Sequence, residues 1–188
     1  MIWKSCFRDG LFQDKVALVT GGGTGIGKAI SYELASLGAT VVIASRNQAK
    51  CEETARELNE KVKGKVITGP STSIRKGDEI KALVDLLVNN AGGQFISPAE
   101  DISERGFNAV VQTNLTGTFL VCQEAFNQYM QDNGGSIVNI TLGNRNGMPM
   151  MSHSGASRAG VENLSASLCT EWFESGVRIN CVRPVIIW

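Results

Sequence analysis

Residues 20–27 read Thr-Gly-Gly-Gly-Thr-Gly-Ile-Gly. Glycines at this spacing allow a tight turn, a close approach of backbone to a pyrophosphate, and close packing of a helix on a strand. The N-terminus of the following helix offers unpaired N–H groups and a partial positive charge to the phosphates. Gly21, Gly25 and Gly27 are the candidates to carry the phosphates, with Gly23, Thr24 and Ile26 around them. The competing reading is a glycine-rich loop that binds nothing. What separates the two is context, because the motif has meaning only after a strand and before a helix. VALVT at Val16–Thr20 precedes it, and Ile26, Ile30 and Leu34 follow at helical spacing.

The second strand ends in Ile43-Ala44-Ser45-Arg46. A site selective for NAD places a carboxylate here to accept hydrogen bonds from the adenosine ribose. Ser45 and Arg46 instead offer a hydroxyl and a guanidinium, which suit a 2′-phosphate and so NADPH. The alternative is a solvated arginine that caps the next helix. Other candidates are sparser. His153, the single histidine, is chemically able to move a proton near pH 7, though a lone histidine is more often structural. The neighbouring hydroxyl of Ser154 reads equally well as a helix N-cap. One histidine among dispersed cysteines gives no metal-ligand spacing, so no metal is expected. The five cysteines are odd in number and far apart, and read as reduced thiols, with Cys122, Cys169 and Cys181 on buried faces.

Short β-branched runs alternate with helical patterns along the chain, which predicts a parallel sheet with crossover helices. Strands are expected at Val16–Thr20, Thr40–Ala44, Lys65–Thr68, Leu86–Asn89, 136–140 and Val177–Val182. Helices are expected after the glycine turn, with Gly38 as its stop, and at about 47–60, 103–131 and 154–174. The reading is one α/β domain over residues 1–188, a doubly wound parallel sheet of the Rossmann type. Two places fit it badly. Residues 74–85 are short for a whole crossover, which needs at least ~10–12 residues including its helix. The apolar end Val185-Ile186-Ile187-Trp188 has nothing after it to cover it, and reads as the end of a shortened product.

Composition narrows the classes. The 188 residues carry 18 basic and 18 acidic side chains, 43% apolar and 19% charged residues. That balance leaves no electrostatic footprint for nucleic acid or acidic membranes and argues against disorder. No apolar run approaches the ~20 residues of a membrane span, and the charged first fifteen residues do not read as a secretory signal. An intracellular protein is expected.

Together with TGGGTGIG, the run Asn89-Asn90-Ala91-Gly92, Asn114 within QTNLTGTF, and RINCV at 178–182 resemble the short-chain dehydrogenase/reductase family. The resemblance runs from about Leu11 to Pro184. It implies that Asn90, Ala91 and Gly92 line the adenine and ribose side of NADPH, and that Asn114 organises the active site. NNAGGQFISPAEDIS (89–103) and HSGASRAGV (153–161) are similar to peroxisomal trans-2-enoyl-CoA reductases, with 2,4-dienoyl-CoA reductases close behind. This implies an acyl-CoA thioester substrate, hydride transfer to its β-carbon, protonation at the α-carbon, and a homo-oligomer.

The family's tyrosine, its lysine four residues later and its serine after the fifth strand are matched here by Ser154, Arg158 and Leu142. Registering on the next acid gives Glu162 with Ala166, which also fails. No lysine follows Lys81, and neither tyrosine is an easy substitute acid: Tyr32 lies within the first helix, and Tyr129 is expected near the end of the fourth helix, at the sheet edge opposite the cofactor. Arg158 would keep the positive charge and the ribose contact without donating a proton. Pro184-Val185 replaces the family's Pro-Gly, the last strand and substrate lid are expected to be lacking, and Ile-Ile-Trp is not a peroxisomal address, which leaves the compartment open between peroxisome and cytoplasm. Two further readings stand beside the reductase: a non-catalytic NADPH-binding or dimerising module, and an incomplete product that does not fold stably.

Overall fold

A computed structural model describes residues 5–69, 84–143 and 147–185. Six strands form one sheet, β1 (Val16–Thr20), β2 (Thr40–Ala44), β3 (Lys65–Thr68), β4 (Leu86–Asn89), β5 (Gly135–Ile140) and β6 (Val177–Val182). Every neighbouring pair is parallel, in the order β3-β2-β1-β4-β5-β6. The order reverses direction between β1 and β4, which opens a crevice at the carboxyl ends of those two strands. The crossover between β3 and β4 falls almost wholly outside the described residues, as do 186–188.

Alternate residues of the strands feed two cores. Ala17, Val19, Val41, Ile43, Val66 and Val88 pack with Ala35, Ala55 and Leu58 from α1 (Gly25–Ser36) and α2 (Gln48–Asn59). Leu18, Leu87, Ile137, Val177 and Ile179 pack on the other face with residues of the later helices, including Val121, Met130 and Leu168. Burial on both faces explains why the strands read as near-continuous apolar runs. Gly38, at φ +103°, turns the chain out of α1, and its N–H bonds the Ala35 carbonyl.

The helix expected at 103–131 is not continuous. It is α3 (Glu104–Val111), a π-helical turn at Gln112–Thr116, α4 (Gly117–Ala125), a second π turn at Phe126–Met130, and α5 (Gln131–Asn133). Side-chain hydroxyls enter the helix ladder here: Thr113 Oγ1 donates to the Ala109 carbonyl at 2.8 Å and Thr118 Oγ1 to the Asn114 carbonyl at 2.8 Å. Ser103 caps α3 by accepting from the Gly106 N–H at 3.1 Å. The last helix, α6 (Ser152–Glu171), starts two residues before the expected 154 and stops before 174, where a separate turn, Phe173–Ser175, closes on Gly176 at φ +73°. Among the described residues no helix is long and apolar enough to cross a membrane.

Candidate active site at the carboxyl ends of β1, β4 and β5

The glycine turn is built as its sequence requires. Gly21 and Gly25 have φ of +67° and +50°, a region other residues rarely adopt. A methyl on Gly27 would overlap the Gly21 carbonyl oxygen and sit 2.6 Å from Asn90 Nδ2. Thr24, at the N-cap of α1, makes no side-chain cap, no acidic residue lies in the first turn, and Thr24, Gly25 and Ile26 are exposed. The open amides and the room at Gly25, where a methyl would meet nothing within 4 Å, fit a pyrophosphate, while the close contacts of Gly27 seat the helix against the turn. Gly23 turns the other way: it is buried, its carbonyl accepts from Thr54 Oγ1 at 2.8 Å, and it anchors the loop on α2.

Two residues of this turn were not among the sequence candidates. A methyl on Gly22 would lie 2.6 Å from Ile43 Cγ2, so the middle glycine lets the loop cross β2. The hydroxyl of Thr20 accepts from the N–H groups of Asn90 (3.1 Å) and Ala91 (3.0 Å), while Asn90 Nδ2 donates to the carbonyls of Thr20 (3.1 Å) and Gly21 (3.3 Å). This exchange fastens the end of β1 to the end of β4. Thr20 was legible as the last strand residue of the motif; its partner, seventy positions on, was not.

At the end of β2, Ser45 Oγ accepts from the Asn47 N–H at 3.1 Å and shapes the turn. Asn47 Oδ1, not Arg46, caps α2 by accepting from the Lys50 N–H at 3.0 Å. Arg46 is exposed just beyond the carboxyl end of β2, where the sequence puts no carboxylate.

Asn114, Ser154 and Arg158 converge on one short loop, 92–94, rather than on one another. Asn114 is fully buried in the first π turn. Its Oδ1 accepts from the Gly93 N–H at 2.9 Å, and its Nδ2 donates to the Gly93 carbonyl at 3.1 Å and to Ser157 Oγ at 3.2 Å. Ser154 lies inside α6 rather than at its cap, a position held by Met151, and Ser154 Oγ donates to Gln94 Oε1 at 2.9 Å. One turn on, Arg158 Nη1 donates to the Ile140 carbonyl at 2.9 Å and Nη2 rests against Gly92. Arg158 is 9% exposed, and burial lowers its pKa from the ordinary value without bringing deprotonation within reach.

The residues considered as proton donors are placed elsewhere. His153 is fully buried with its ring edge-on to Phe95, centroids 4.3 Å apart, and neither ring nitrogen has a hydrogen-bond partner among the described residues. Glu162 accepts from Thr141 Oγ1 at 3.2 Å and pairs with Arg183 at 2.7 Å, so it ties β5 to the chain after β6. Tyr32 and Tyr129 pack against the two cores. Among the cysteines Cys122 is buried, whereas Cys169 and Cys181 are only half-buried, because each stands at the margin of its packed face. Burial pushes the Cys122 thiol up to about 12, although Asn89 Nδ2 donates to its sulfur. No group of three or more potential metal ligands occurs among the described residues.

What is assembled is a dinucleotide-shaped turn, a basic residue beyond β2, and a buried cation beside a tightly held loop at the end of β4. The chain matches the family model for short chain dehydrogenases over residues 15–188, and it belongs to that family. It is 42% identical to a probable 2,4-dienoyl-CoA reductase of Caenorhabditis elegans, over 94% of this chain and 61% of that protein. It is 38% identical to a peroxisomal 2,4-dienoyl-CoA reductase of Danio rerio, over 93% of this chain and 61% of that protein. Among solved structures, a citronellol catabolism dehydrogenase of Pseudomonas aeruginosa superposes with a TM-score of 0.92 at 44% identity, covering 97% of this chain and 79% of that one. The chain thus spans about three fifths of the length of these two reductases.

Proposed function

We propose that this chain acts as an NADPH-dependent reductase of a conjugated acyl-CoA thioester, with a 2,4-dienoyl-CoA as substrate. The observation that carries the reading is the identity of 42% and 38% to proteins named for that reaction, over nearly the whole chain. It moves the substrate from the trans-2-enoyl thioester favoured by the sequence motifs to the dienoyl one. NADPH would be held by Gly21, Gly25, Gly27 and the open amides of α1 at the pyrophosphate, by Ser45 and Arg46 at the 2′-phosphate, and by Asn90, Ala91 and Gly92 on the ribose side.

Bound NADPH supplies the hydride. In a 2,4-dienoyl thioester that hydride would be taken up at the δ-carbon, the electron pair would move to the carbonyl oxygen, and a solvent proton at the α-carbon would leave the 3-enoyl product. Arg158 would stand in for the family's lysine, keeping a fixed cation on the ribose side of the cofactor, and Asn114 and Ser154 keep the 92–94 loop beside it in place. The dienolate formed this way is a carbon base that would take its proton from water, so the missing phenol is not an obstacle. By resemblance and by the relatives' names, the chain works as a homo-oligomer in the peroxisome; a monomer by light scattering would count against the first part.

The deciding assay follows NADPH oxidation with a 2,4-dienoyl-CoA, and separately with a trans-2-enoyl-CoA, against heat-denatured protein. Faster turnover of the dienoyl thioester is expected. Preference for the enoyl thioester would return the substrate to the alternative, and rates no better than the denatured control would sink both.

A further inference from the structure

Gly92 has an ordinary backbone conformation, since it is not among the residues with positive φ, so its own backbone would accept a side chain. Its surroundings would not. A methyl on Gly92 would overlap Arg158 Nη2, lie 3.0 Å from Arg158 Cζ and lie 3.1 Å from Asn114 Oδ1. Next door, a methyl on Gly93 would meet no atom within 4 Å. The obstruction at 92 is therefore local, and it comes chiefly from one side chain. That side chain is the long planar one standing where the family carries a lysine.

We propose that Gly92 is a positioning residue matched to Arg158: the missing Cβ at 92 is the seat of the guanidinium, and an arginine can serve at 158 only where 92 is glycine. The clash lies at the far end of a flexible side chain, so alanine at 92 would push the guanidinium aside rather than break the backbone. Displacement would also pull Nη1 off the Ile140 carbonyl, 2.9 Å away, and cost the cation that fixed contact. Lysine ends in a compact ammonium with no second Nη arm, so it would not reach across Gly92 in the same way. The two positions form a unit in which a methyl and a guanidinium exclude each other. The link to cofactor binding rests on the proposed NADPH site; the steric match does not.

The test is a four-protein cycle of wild type, Gly92→Ala, Arg158→Lys and the double variant, read by urea unfolding and by NADPH titration of protein fluorescence. Gly92→Ala is expected to lower the urea midpoint and weaken NADPH about tenfold or more. Adding Arg158→Lys should restore the midpoint and bring NADPH affinity to within about threefold of Arg158→Lys alone. A Gly92→Ala chain with no cooperative transition beside a cooperative double variant counts the same way. A double variant as impaired as Gly92→Ala, or a Gly92→Ala chain like wild type, overturns the proposal. If wild type binds no NADPH, the cofactor reading falls, and the urea cycle still decides the Gly92–Arg158 match.

Discussion

Asp85 gathers more bonds than a surface carboxylate usually does. It accepts from the Val16 N–H and from Lys15 Nζ, each at 2.9 Å, where β1 begins beside β4. Burial pushes its carboxyl up, but the Val16 and Lys15 bonds outweigh this and hold it below the ordinary value of 3.8. A carboxyl depressed in the folded state adds stability that is present above its unfolded pKa and lost as pH falls through the lower folded one. Asp85→Asn should therefore cost about 1 kcal/mol near neutrality and flatten the acid limb of a pH-dependent unfolding curve. An acid limb identical to wild type would refute this. Gly27→Ala tests the turn at the same scale. Its methyl has no room against Gly21 and Asn90, so the NADPH-induced thermal shift should vanish, with a loss of about 1–3 kcal/mol in stability. Cys6 is exposed and Cys122 buried with a raised pKa, so iodoacetamide should label the first in native protein and the second only on unfolding.

Elements explain what the sequence could and could not reveal. The strands were readable because a sheet buried on both faces demands unbroken apolar runs, and VALVT and LLVN meet that demand. The glycine turn was readable because its backbone requires the residue types found there. The broken helix was not. Phe107, Val110, Val111, Leu115 and Leu120 suggest one long helix, and whether Thr113 and Thr118 turn their hydroxyls onto the ladder depends on neighbours that the pattern does not name. Ser154 illustrates the same limit. A serine near a helix start reads as a cap, but the start moved to Ser152, and the hydroxyl went to Gln94. The three residues matched to the family's active site were found by resemblance, yet their shared target, the 92–94 loop, came only from the packing of the π turn against α6 beyond the end of β4. Asn114→Ala should release that loop. It strands the Gly93 amide and removes three hydrogen bonds from a buried site, for a loss of about 2–4 kcal/mol. Differential scanning calorimetry should then place the transition several degrees lower, on the order of 2–4 °C per kcal/mol at this size. No shift would mean that the loop is held by other contacts.

For the molecule as a whole, binding and folding are read in one experiment. NADPH at ~100 times its dissociation constant should stabilise the chain by about 2.7 kcal/mol, and NADH at the same concentration should do less. Arg46→Asp should reverse that order, because a carboxylate repels the 2′-phosphate and accepts from the ribose hydroxyl that replaces it. Equal shifts for both cofactors would remove the assignment of Ser45 and Arg46.

The latch between Thr20 and Asn90 also sets a schedule for synthesis. β1 is among the first elements to leave the ribosome, but the amides that its hydroxyl holds belong to residues 70 and 71 positions later. Until β4 emerges, β1 has only β2 to pair with, the crevice has one wall, and the glycine turn lacks the side chain that spans it. A nascent chain arrested before residue 86 should therefore not retain NADPH, however complete its glycine motif, whereas one extruded past Asn114 has both walls and the loop's clamp.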